Sequence, residues 1–387
     1  MSIDLLLPPI AVSHWFEGAT APPPSPYKKL MAKLSGIRRD AQNLVLSQRY
    51  PRLRHTPWPD HGYSLFGITD KYNGLSRAYR YEIDRLERDG LLNPKSRNVI
   101  ILGQPKQWRK LFAQAPAGFS ETWRVGLWVT EFDCVQPEWE FAFDVVNEIW
   151  TPSEFSARAF RASTQLPVKI VPHAVKVTNA PPMDRRQFGI SDEAFLGLAI
   201  MDLGACPDRK NPLAHVKAWQ VAFQNDRQAQ LLIKARFSRH KAFVRDALRS
   251  AIGSSTNIQI VEAEFDDREI ESFQRMADVF ISLHRAEGYG LNIQQMLEHG
   301  IPAVATGWSG NMDYMPRYPH AFAVPHRLIP YQDPTLYYRG ENLKWAEADI
   351  DEAAKILRGI RARHRHAEPI VSPAVTLAAK IIGAATR

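Results

Sequence analysis

The sequence predicts an α/β protein of two domains, each built on a parallel sheet with helices on both faces. Two series of short apolar strands alternate with helical segments, which is the pattern typical of parallel sheets. A polar segment at about residues 176–192, containing Pro181 and Pro182, separates the two series as an interdomain linker would. The length of 387 residues, of which 45% are hydrophobic, is sufficient for two globular domains.

Residues 1–60 are predicted to form an N-terminal extension. Its irregular start is marked by Pro22, Pro23, Pro24 and Pro26. A helix is expected next, because apolar residues recur on one face: Leu30, Leu34, Ile37, Ala41 and Leu44. Residues 27–54 also carry eight basic residues and one acidic residue. Such a helix is consistent with contact to an anionic membrane surface or, more commonly, with an apolar stripe packed on the protein's own domain.

The first alternating series is predicted to form an N-terminal domain, residues 61–178. Short apolar runs bounded by turn residues favour strands in a buried parallel sheet. The predicted strands are 63–68, 98–102, 125–129, 148–150 and 168–171. A turn at 73–76 leads into a helix at 77–89, and a second helix covers 155–161.

The second series is predicted to form a C-terminal domain, residues 179–345. Its predicted strands are 196–201, 230–233, 258–261, 279–283 and 303–306, and its predicted helices are 212–223, 240–251 and 267–276. The chain from about residue 343 is helical in pattern, with Pro369 and Pro373 separating two pieces. Residues 346–387 are therefore predicted as C-terminal helices.

The most informative stretch is residues 277–313, which predicts a strand, a glycine-bearing loop, a helix and a second strand. Gly288 and Gly290 allow backbone N–H groups to approach a ligand, and the helix start behind them favours negative charge. Glu287 in the same loop suits hydroxyl groups better than phosphate. The stretch therefore indicates a ligand with both phosphates and hydroxyls, such as a sugar nucleotide. An ordinary turn, in which the glycines only permit the bend, is the alternative.

A second phosphate-friendly feature follows the first strand of the second series. Arg209 and Lys210 stand just before a helix with Pro212 in its first turn, and cations beside free helix N–H groups form an anion site. Lys234 ends the next predicted strand and could reach the same place. The alternative is that these are surface charges. No acidic metal cluster accompanies them, so neutralisation of a leaving phosphate by cations, without a metal, is expected.

Composition narrows the class of protein further. Cys134 and Cys206 indicate no disulfide framework, which fits a reducing compartment. No run approaches the ~18 apolar residues of a membrane helix, and the start of the chain lacks the basic region of a signal peptide. A cytoplasmic protein is expected, and contact through residues 27–54 would place it at the inner face of the membrane. Although the formal charge is +8, no nucleic-acid-binding motif accompanies it, and no nucleic-acid partner is expected.

Several phrases together resemble the retaining glycosyltransferases of family 4. In the second series they are DLGACPDRKNP, LLIKARF and SLHRAEGYGLNIQQMLEHGIPAVATGWSGNMD, and in the first RVGLWVTEFDCVQPEWEFAFDVVNEIWTPSEFSARAF and YNGLSRAYRYEIDRLERDG. The resemblance covers about residues 62–325. It implies the GT-B fold, in which two Rossmann-like, doubly wound domains face each other across a cleft and C-terminal helices cross back to the first domain.

The resemblance also implies roles for the donor-site residues. Arg209 and Lys210 would bind the donor diphosphate, and Glu287 would hold hydroxyls of the donor sugar. The backbone at Tyr289, Gly290 and Leu291 would meet phosphate or base. The position of the second family glutamate, which usually binds ribose, is Gln295 in this chain; an amide still hydrogen-bonds a diol but lacks the strength of a charged acceptor.

Other roles concern the acceptor side and the edges of the site. Glu131, after the strand at 125–129, could orient or deprotonate the acceptor hydroxyl, or could brace the strand end. Gly74 would lie near the donor across the cleft, or serve only a turn. His284 is expected to be structural, and Trp308 and Asn311 to border the donor pocket.

The resemblance implies a retaining, metal-independent glycosyltransferase without a cofactor. It would move a sugar from a nucleotide-diphosphate sugar to a glycan or lipid-linked oligosaccharide in surface polysaccharide biosynthesis. The alternatives are a sugar-nucleotide epimerase or hydrolase of the same fold and a non-catalytic glycan-binding protein.

Overall fold

The structure, a computed structural model, describes residues 26–67, 74–178, 180–204, 206–237, 242–331, 338 and 342–364. It contains two parallel sheets, of five and six strands, and a two-stranded antiparallel ribbon. The predicted α/β fold with two parallel sheets is confirmed. The predicted proline-rich start at 22–24 and the last predicted helical piece lie outside the described residues. The domain boundaries remain predictions. Residues 26–178 are called the first half of the protein, and the described residues from 180 to 364 are called the second half.

The first sheet has five parallel strands that lie side by side in sequence order. They are β1 (Ser64–Gly67), β2 (Asn98–Leu102), β3 (Trp123–Leu127), β4 (Glu148–Thr151) and β5 (Val168–Ile170), and the helices of this half are α1 (Pro26–Arg49), α2 (Gly74–Arg88), α3 (Trp108–Phe112) and α4 (Glu154–Ser163). Buried apolar clusters cover the sheet on both faces. The three inner strands, β2, β3 and β4, are buried along their whole length, as expected for a parallel sheet that is covered on both faces.

Helix α1 packs on the first sheet with a face other than its apolar stripe. Leu46 and the adjoining Tyr50 belong to the core of the first half. Ile37, Leu44 and Val45 are 59%, 58% and 58% exposed. The expectation that the stripe packs on its own domain is therefore wrong where it is described, because the aromatic Tyr50 and the helix end anchor α1 through the opposite side. Leu30 and Leu34 lie where side chains are not described.

A buried arginine holds the chain where α1 ends. Arg124 in β3 is fully buried and donates hydrogen bonds to the carbonyl oxygens of Tyr50 and Pro51. It also donates to the carbonyl oxygens of Val145, at 2.8 Å, and Phe119, at 3.0 Å. Since carbonyl oxygens replace the lost water, the buried guanidinium is tolerated and cross-links four segments.

The second sheet has six parallel strands with a reversal of order at its centre. They are β6 (Phe195–Asp202), β7 (Ala229–Arg236), β8 (Ile258–Val261), β9 (Val279–Ser282), β10 (Ala303–Thr306) and β11 (Ala321–Val324), arranged β11-β10-β9-β6-β7-β8. The helices between them are α5 (Pro207–Lys210), α6 (Pro212–Phe223), α7 (Ala242–Ile252), α8 (Asp267–Arg275) and α9 (Leu291–Glu298). The order reverses between β6 and β9, which is the position where doubly wound sheets bind ligands.

The predicted C-terminal helices need two corrections. Residues 344–348 form β13 (Lys344–Ala348), which pairs antiparallel with β12 (His326–Pro330). Helix α10 (Ile350–His364) then packs on α6 of the second half instead of returning to the first half. Arg361 of α10 pairs at 2.6 Å with Asp226, which follows α6. Tertiary burial of Trp345 overrides the helical pattern of this segment. A crossing to the first half would fall in residues 365–387, outside the described range.

Candidate donor site

The two predicted phosphate features lie together at the reversal point of the second sheet. Strands β6 and β9 are neighbours, so the loops after Asp202 and Ser282 meet at one edge. The backbone N–H of Arg285 donates to the carbonyl oxygen of Arg209 at 2.8 Å. The Arg209 guanidinium donates to the carbonyl oxygen of Ala286 at 3.0 Å. The loop with Glu287 and the helix with Arg209 and Lys210 therefore form one surface.

Glu287 lies in the middle of this surface and is paired with both predicted cations. The Lys210 ammonium contacts the Glu287 carboxylate, and an Arg209 nitrogen lies 3.3 Å from the same oxygen. The three side chains are only 14–19% exposed. Ser309 fixes the loop by accepting a hydrogen bond from the Glu287 N–H at 2.9 Å. The structure thus brings together the three residues that the sequence predicted to share a donor site.

Glu131 approaches the same group from the first half. Its carboxylate lies 4.0 Å from Arg209, and 23% of its side chain is exposed. A carboxylate from each half therefore faces one pair of cations. Lys234, in β7, lies on the same edge with its ammonium 5.6 Å from the Phe265 ring, and burial, followed by the charge of Arg236, lowers its pKa.

A buried ion cluster holds helix α5 in place. Arg285 is 1% exposed, donates to Glu347 at 2.7 Å and lies 3.3 Å from Asp208. Its guanidinium also lies 5.3 Å above the ring of Trp345. Because Asp208 precedes Arg209 and Lys210, this cluster ties their orientation to the β12–β13 ribbon. The sequence reasoning did not identify it.

The glycines of the loop allow the two halves to touch. A side chain on Gly288 would place its Cβ 2.1 Å from Val129 of the first half, and Ser153 donates to the Gly288 carbonyl oxygen at 2.7 Å. Gly290 has a φ of 92° and is the N-cap residue directly before α9. Glycine is needed at position 288 for the close approach and at position 290 for the left-handed backbone. The two halves also touch where Asp313 accepts a hydrogen bond from the N–H of Glu154 at the start of α4.

Gln295 is engaged by protein groups. It is 2% exposed, donates to the hydroxyl of Tyr81 at 2.8 Å, and accepts from Gln274 at 3.3 Å. Tyr81 belongs to α2 of the first half. In this arrangement the side chain joins the two halves, and its predicted contact with ribose stays a prediction.

The other predicted residues surround the loop. Gly74 is the exposed first residue of α2, and Leu291 begins α9. Tyr289 is buried and donates from its hydroxyl to Gln294 at 2.5 Å, so its side chain is a core element. His284 is fully buried, and burial followed by the charge of Lys210 lowers its pKa to about 3, so it is neutral and suited to a structural role.

Arg77 is a residue of this region that the sequence reasoning passed over. It is 8% exposed, lies in the first turn of α2, and donates to Asn292 of α9 at 2.6 Å. The available signal was its place three residues after Gly74 in the phrase YNGLSRAYR. Asn311 is buried and donates to the Thr306 carbonyl oxygen at 2.9 Å, while Trp308 packs edge-on against Phe155 of the first half.

Among the residues that the structure describes, no group of three or more His, Cys, Asp and Glu side chains is placed to hold a metal ion. None of the helices that the structure describes combines the length and the apolar character required to cross a bilayer.

Comparison with known proteins gives a family match and fold matches. Residues 167–371, more than half of the chain, match the model of the family described as "Family 4 Glycosyltransferase in conflict systems". The crystal structure of Anabaena Alr3699/HepE in complex with UDP and glucose superposes with a TM-score of 0.55, 13% identity, and coverage of 77% of this chain and 89% of that one. The crystal structure of WaaG, a glycosyltransferase involved in lipopolysaccharide biosynthesis, superposes with a TM-score of 0.52 and 12% identity, and the match covers 78% of this chain and 90% of that one. The search of curated proteins found no match.

Proposed function

Because the chain belongs to the family 4 glycosyltransferases of conflict systems and has the GT-B fold, we propose that it transfers a sugar, with retention, from a nucleotide-diphosphate sugar to a glycan or lipid-linked acceptor. The observation that carries this proposal is the contact of Lys210 and Arg209 with Glu287 at the reversal point of the second sheet. Two cations suit a diphosphate, and a carboxylate beside them suits sugar hydroxyls.

Donor binding would exchange partners within this cluster. In the structure, the Glu287 carboxylate contacts Lys210 and Arg209. We expect a phosphate oxygen of the donor to replace it between these cations. When the diphosphate binds these cations, Glu287 is released and can accept hydrogen bonds from the donor sugar. The cations then neutralise the charge that develops on the leaving diphosphate, which is the main electrostatic demand of the reaction. This chemistry needs no metal ion.

The acceptor would enter beside Glu131. Its carboxylate comes from the first half and lies 4.0 Å from one terminal nitrogen of Arg209, while Glu287 lies 3.3 Å from the other. In a retaining transfer the departing phosphate can take the acceptor proton on the same face of the sugar, and Glu131 would orient the acceptor hydroxyl. The bond between the anomeric carbon and the diphosphate breaks, the bond to the acceptor oxygen forms, and the proton leaves with the diphosphate.

Two contexts for the acceptor deserve separate tests. The resemblance to family 4 enzymes favours surface polysaccharide biosynthesis, with a glycan or a lipid-linked oligosaccharide as acceptor. The family description favours a second candidate, an acceptor that takes part in a biological conflict. The same donor chemistry serves both, so the donor should be identified first.

A thermal-shift screen with UDP-, GDP- and dTDP-sugars tests the donor proposal. A donor that binds the folded protein raises its melting temperature by mass action, so the correct nucleotide should stand out. Incubation with that donor alone then separates the alternatives, because an epimerase or hydrolase converts it without an acceptor. Binding with no turnover on an acceptor panel would favour a non-catalytic protein. No shift with any nucleotide sugar would overturn the proposal.

We also propose that the exposed face of α1 rests on an anionic lipid surface. Ile37, Leu44 and Val45 are more than half exposed, and basic residues such as Arg38 and Arg49 flank them. Apolar side chains with surrounding cations match a bilayer with anionic headgroups. In a flotation assay with phosphatidylglycerol vesicles, the wild type should float with the vesicles, and an Ile37→Glu, Leu44→Glu variant should remain in the bottom fraction. Equal flotation of both would refute this contact.

A further inference from the structure

Arg77 is the cation through which the first half reaches the predicted donor site. It is the fourth residue of α2, and its guanidinium donates to Asn292 Oδ1 at 2.6 Å, across 215 positions of sequence. Asn292 is the second residue of α9, whose N-terminus follows the glycine loop. Free N–H groups and the helix dipole favour an anion at this end. Arg77 is therefore held where a phosphate would approach α9.

Arg77 differs from Arg124 and Arg285, the two fully buried arginines in the part of the chain that the structure describes. Arg124 is surrounded by carbonyl oxygens, and Arg285 is paired with Glu347 and Asp208. Arg77 is 8% exposed, forms no ion pair with the described part of the chain, and its Nε has no hydrogen-bond partner there. Burial lowers its pKa. The charge of Asp267 acts on Arg77 from beyond ion-pair distance. A buried guanidinium without an ion-pair contact is costly, and its retention is typical of a site that binds an anion.

Arg77 lies within electrostatic range of the other cations of the predicted donor site. Burial is the largest cause that lowers the pKa of Lys210 and of Lys234, and the positive charge of Arg77 contributes in both cases. The nearby carboxylates have partners of their own: Glu287 pairs with Arg209 and Lys210, Asp267 with Arg80 at 2.9 Å, and Asp202 with Arg236 at 2.5 Å. A diphosphate would give Arg77 the ion-pair partner that these carboxylates do not provide.

We propose that Arg77 binds the donor diphosphate from the first half, exchanging its bond with Asn292 for a charge-assisted bond with a phosphate oxygen. This inference rests on the proposed function. Since Arg209, Lys210 and Lys234 belong to the second half, the diphosphate connects the two halves. Donor binding therefore stabilises the contact between α2 and α9, and release of the nucleoside diphosphate loosens it.

Calorimetry with UDP, GDP and dTDP, and with the corresponding nucleosides, tests the inference on the full chain. We expect Arg77→Met to bind the preferred nucleoside diphosphate about 10- to 100-fold more weakly, with nucleoside affinity changed by less than about twofold. Arg77→Lys should recover part of the loss. The matched control is Arg80→Met, one turn later, where the side chain is 29% exposed and paired with Asp267 at 2.9 Å. This control should bind as the wild type does.

Thermal melting without ligand excludes a merely structural role. Because Arg77→Met removes a buried charge that has no ion-pair contact, it should melt at the same temperature as the wild type or higher, while losing most of the ligand-induced shift. Diphosphate binding equal to that of the wild type, or an equal loss of nucleoside and diphosphate binding, would overturn the inference alone. A wild type that binds none of the three diphosphates would overturn the proposed function and this inference together.

Discussion

Replacing Glu287 with Gln separates donor binding from sugar transfer. In the free protein the carboxylate pairs with Lys210 and Arg209, which are the cations proposed for the diphosphate. The substitution keeps the shape of the side chain and one acceptor oxygen, replaces the other oxygen with an NH2 donor, and removes the charge. Since the carboxylate competes with phosphate for the same cations, its neutralisation should strengthen binding of the nucleoside diphosphate while weakening the grip on the donor sugar.

The magnitude follows from the geometry. A phosphate oxygen bound to the same cations would lie about 5 Å from the carboxylate, where two unit charges repel by ~3 kcal/mol at an effective dielectric constant of ~20. This repulsion corresponds to about 100-fold in affinity, and reorganisation of the side chains should reduce the observed gain to about tenfold. Transfer should fall by at least ~10²-fold, because charge-assisted bonds to the sugar that act in the transition state are lost.

Calorimetry with the preferred nucleoside diphosphate and a transfer assay with the matching donor measure the two effects. Glu193→Gln, at an exposed position of the second half, is the control and should change neither. Diphosphate binding that weakens about tenfold in Glu287→Gln, or transfer that stays normal, would refute the exchange of partners.

Three further predictions follow from the same structure. Lys210→Ala should lower kcat/KM for transfer by at least ~10²-fold, and near-normal turnover would contradict the site assignment. Gly288→Ala should destabilise the protein by about 1–3 kcal/mol in urea unfolding, because its Cβ would lie 2.1 Å from Val129; an unchanged midpoint would show that the halves do not touch there. Burial is the main cause that lowers the pKa of His215 to about 4 and of His284 to about 3. Both take up protons mainly on unfolding below pH ~6.5, so these two side chains should together lower the unfolding free energy by about 3 kcal/mol between pH 7.5 and 5.5. His173, whose pKa burial also lowers to about 4, adds to this fall. His284→Asn should remove about 1.4 kcal/mol of it, and an unchanged pH dependence would contradict the buried, neutral state of His284.

The central strands and helices could be predicted because their local patterns agree with their environment. Strands β2 and β10 are continuous apolar runs buried along their whole length, and the structure gives them the predicted bounds. Strand β13 could not be predicted, since Lys344–Ala348 has the composition of a helix and becomes a strand through burial of Trp345 and the pairing of Glu347 with Arg285. The exposed stripe of α1 shows the same limit: periodicity finds an apolar face, and only tertiary contacts decide whether it is covered.

Half of the candidate site was accessible from the sequence for a topological reason. Arg209, Lys210 and Glu287 follow strands that are neighbours in a doubly wound sheet, so their proximity is a consequence of the strand order. Contacts between the two halves have no such rule. The partners of Gln295 and Arg77, namely Tyr81 and Asn292, depend on how one half is placed against the other, which no local pattern records.

The hydrogen bonds from Arg124 to backbone carbonyl oxygens fix the direction of α1. Because Arg124 belongs to the first sheet and binds the carbonyl oxygens of Tyr50 and Pro51, the end of the helix is held rigidly against that sheet. A surface that contacts Ile37, Leu44 and Val45 would therefore meet the molecule at one fixed angle. The cleft between the two halves would then lie at a fixed distance from that surface, and only acceptors long enough to span this distance could be used.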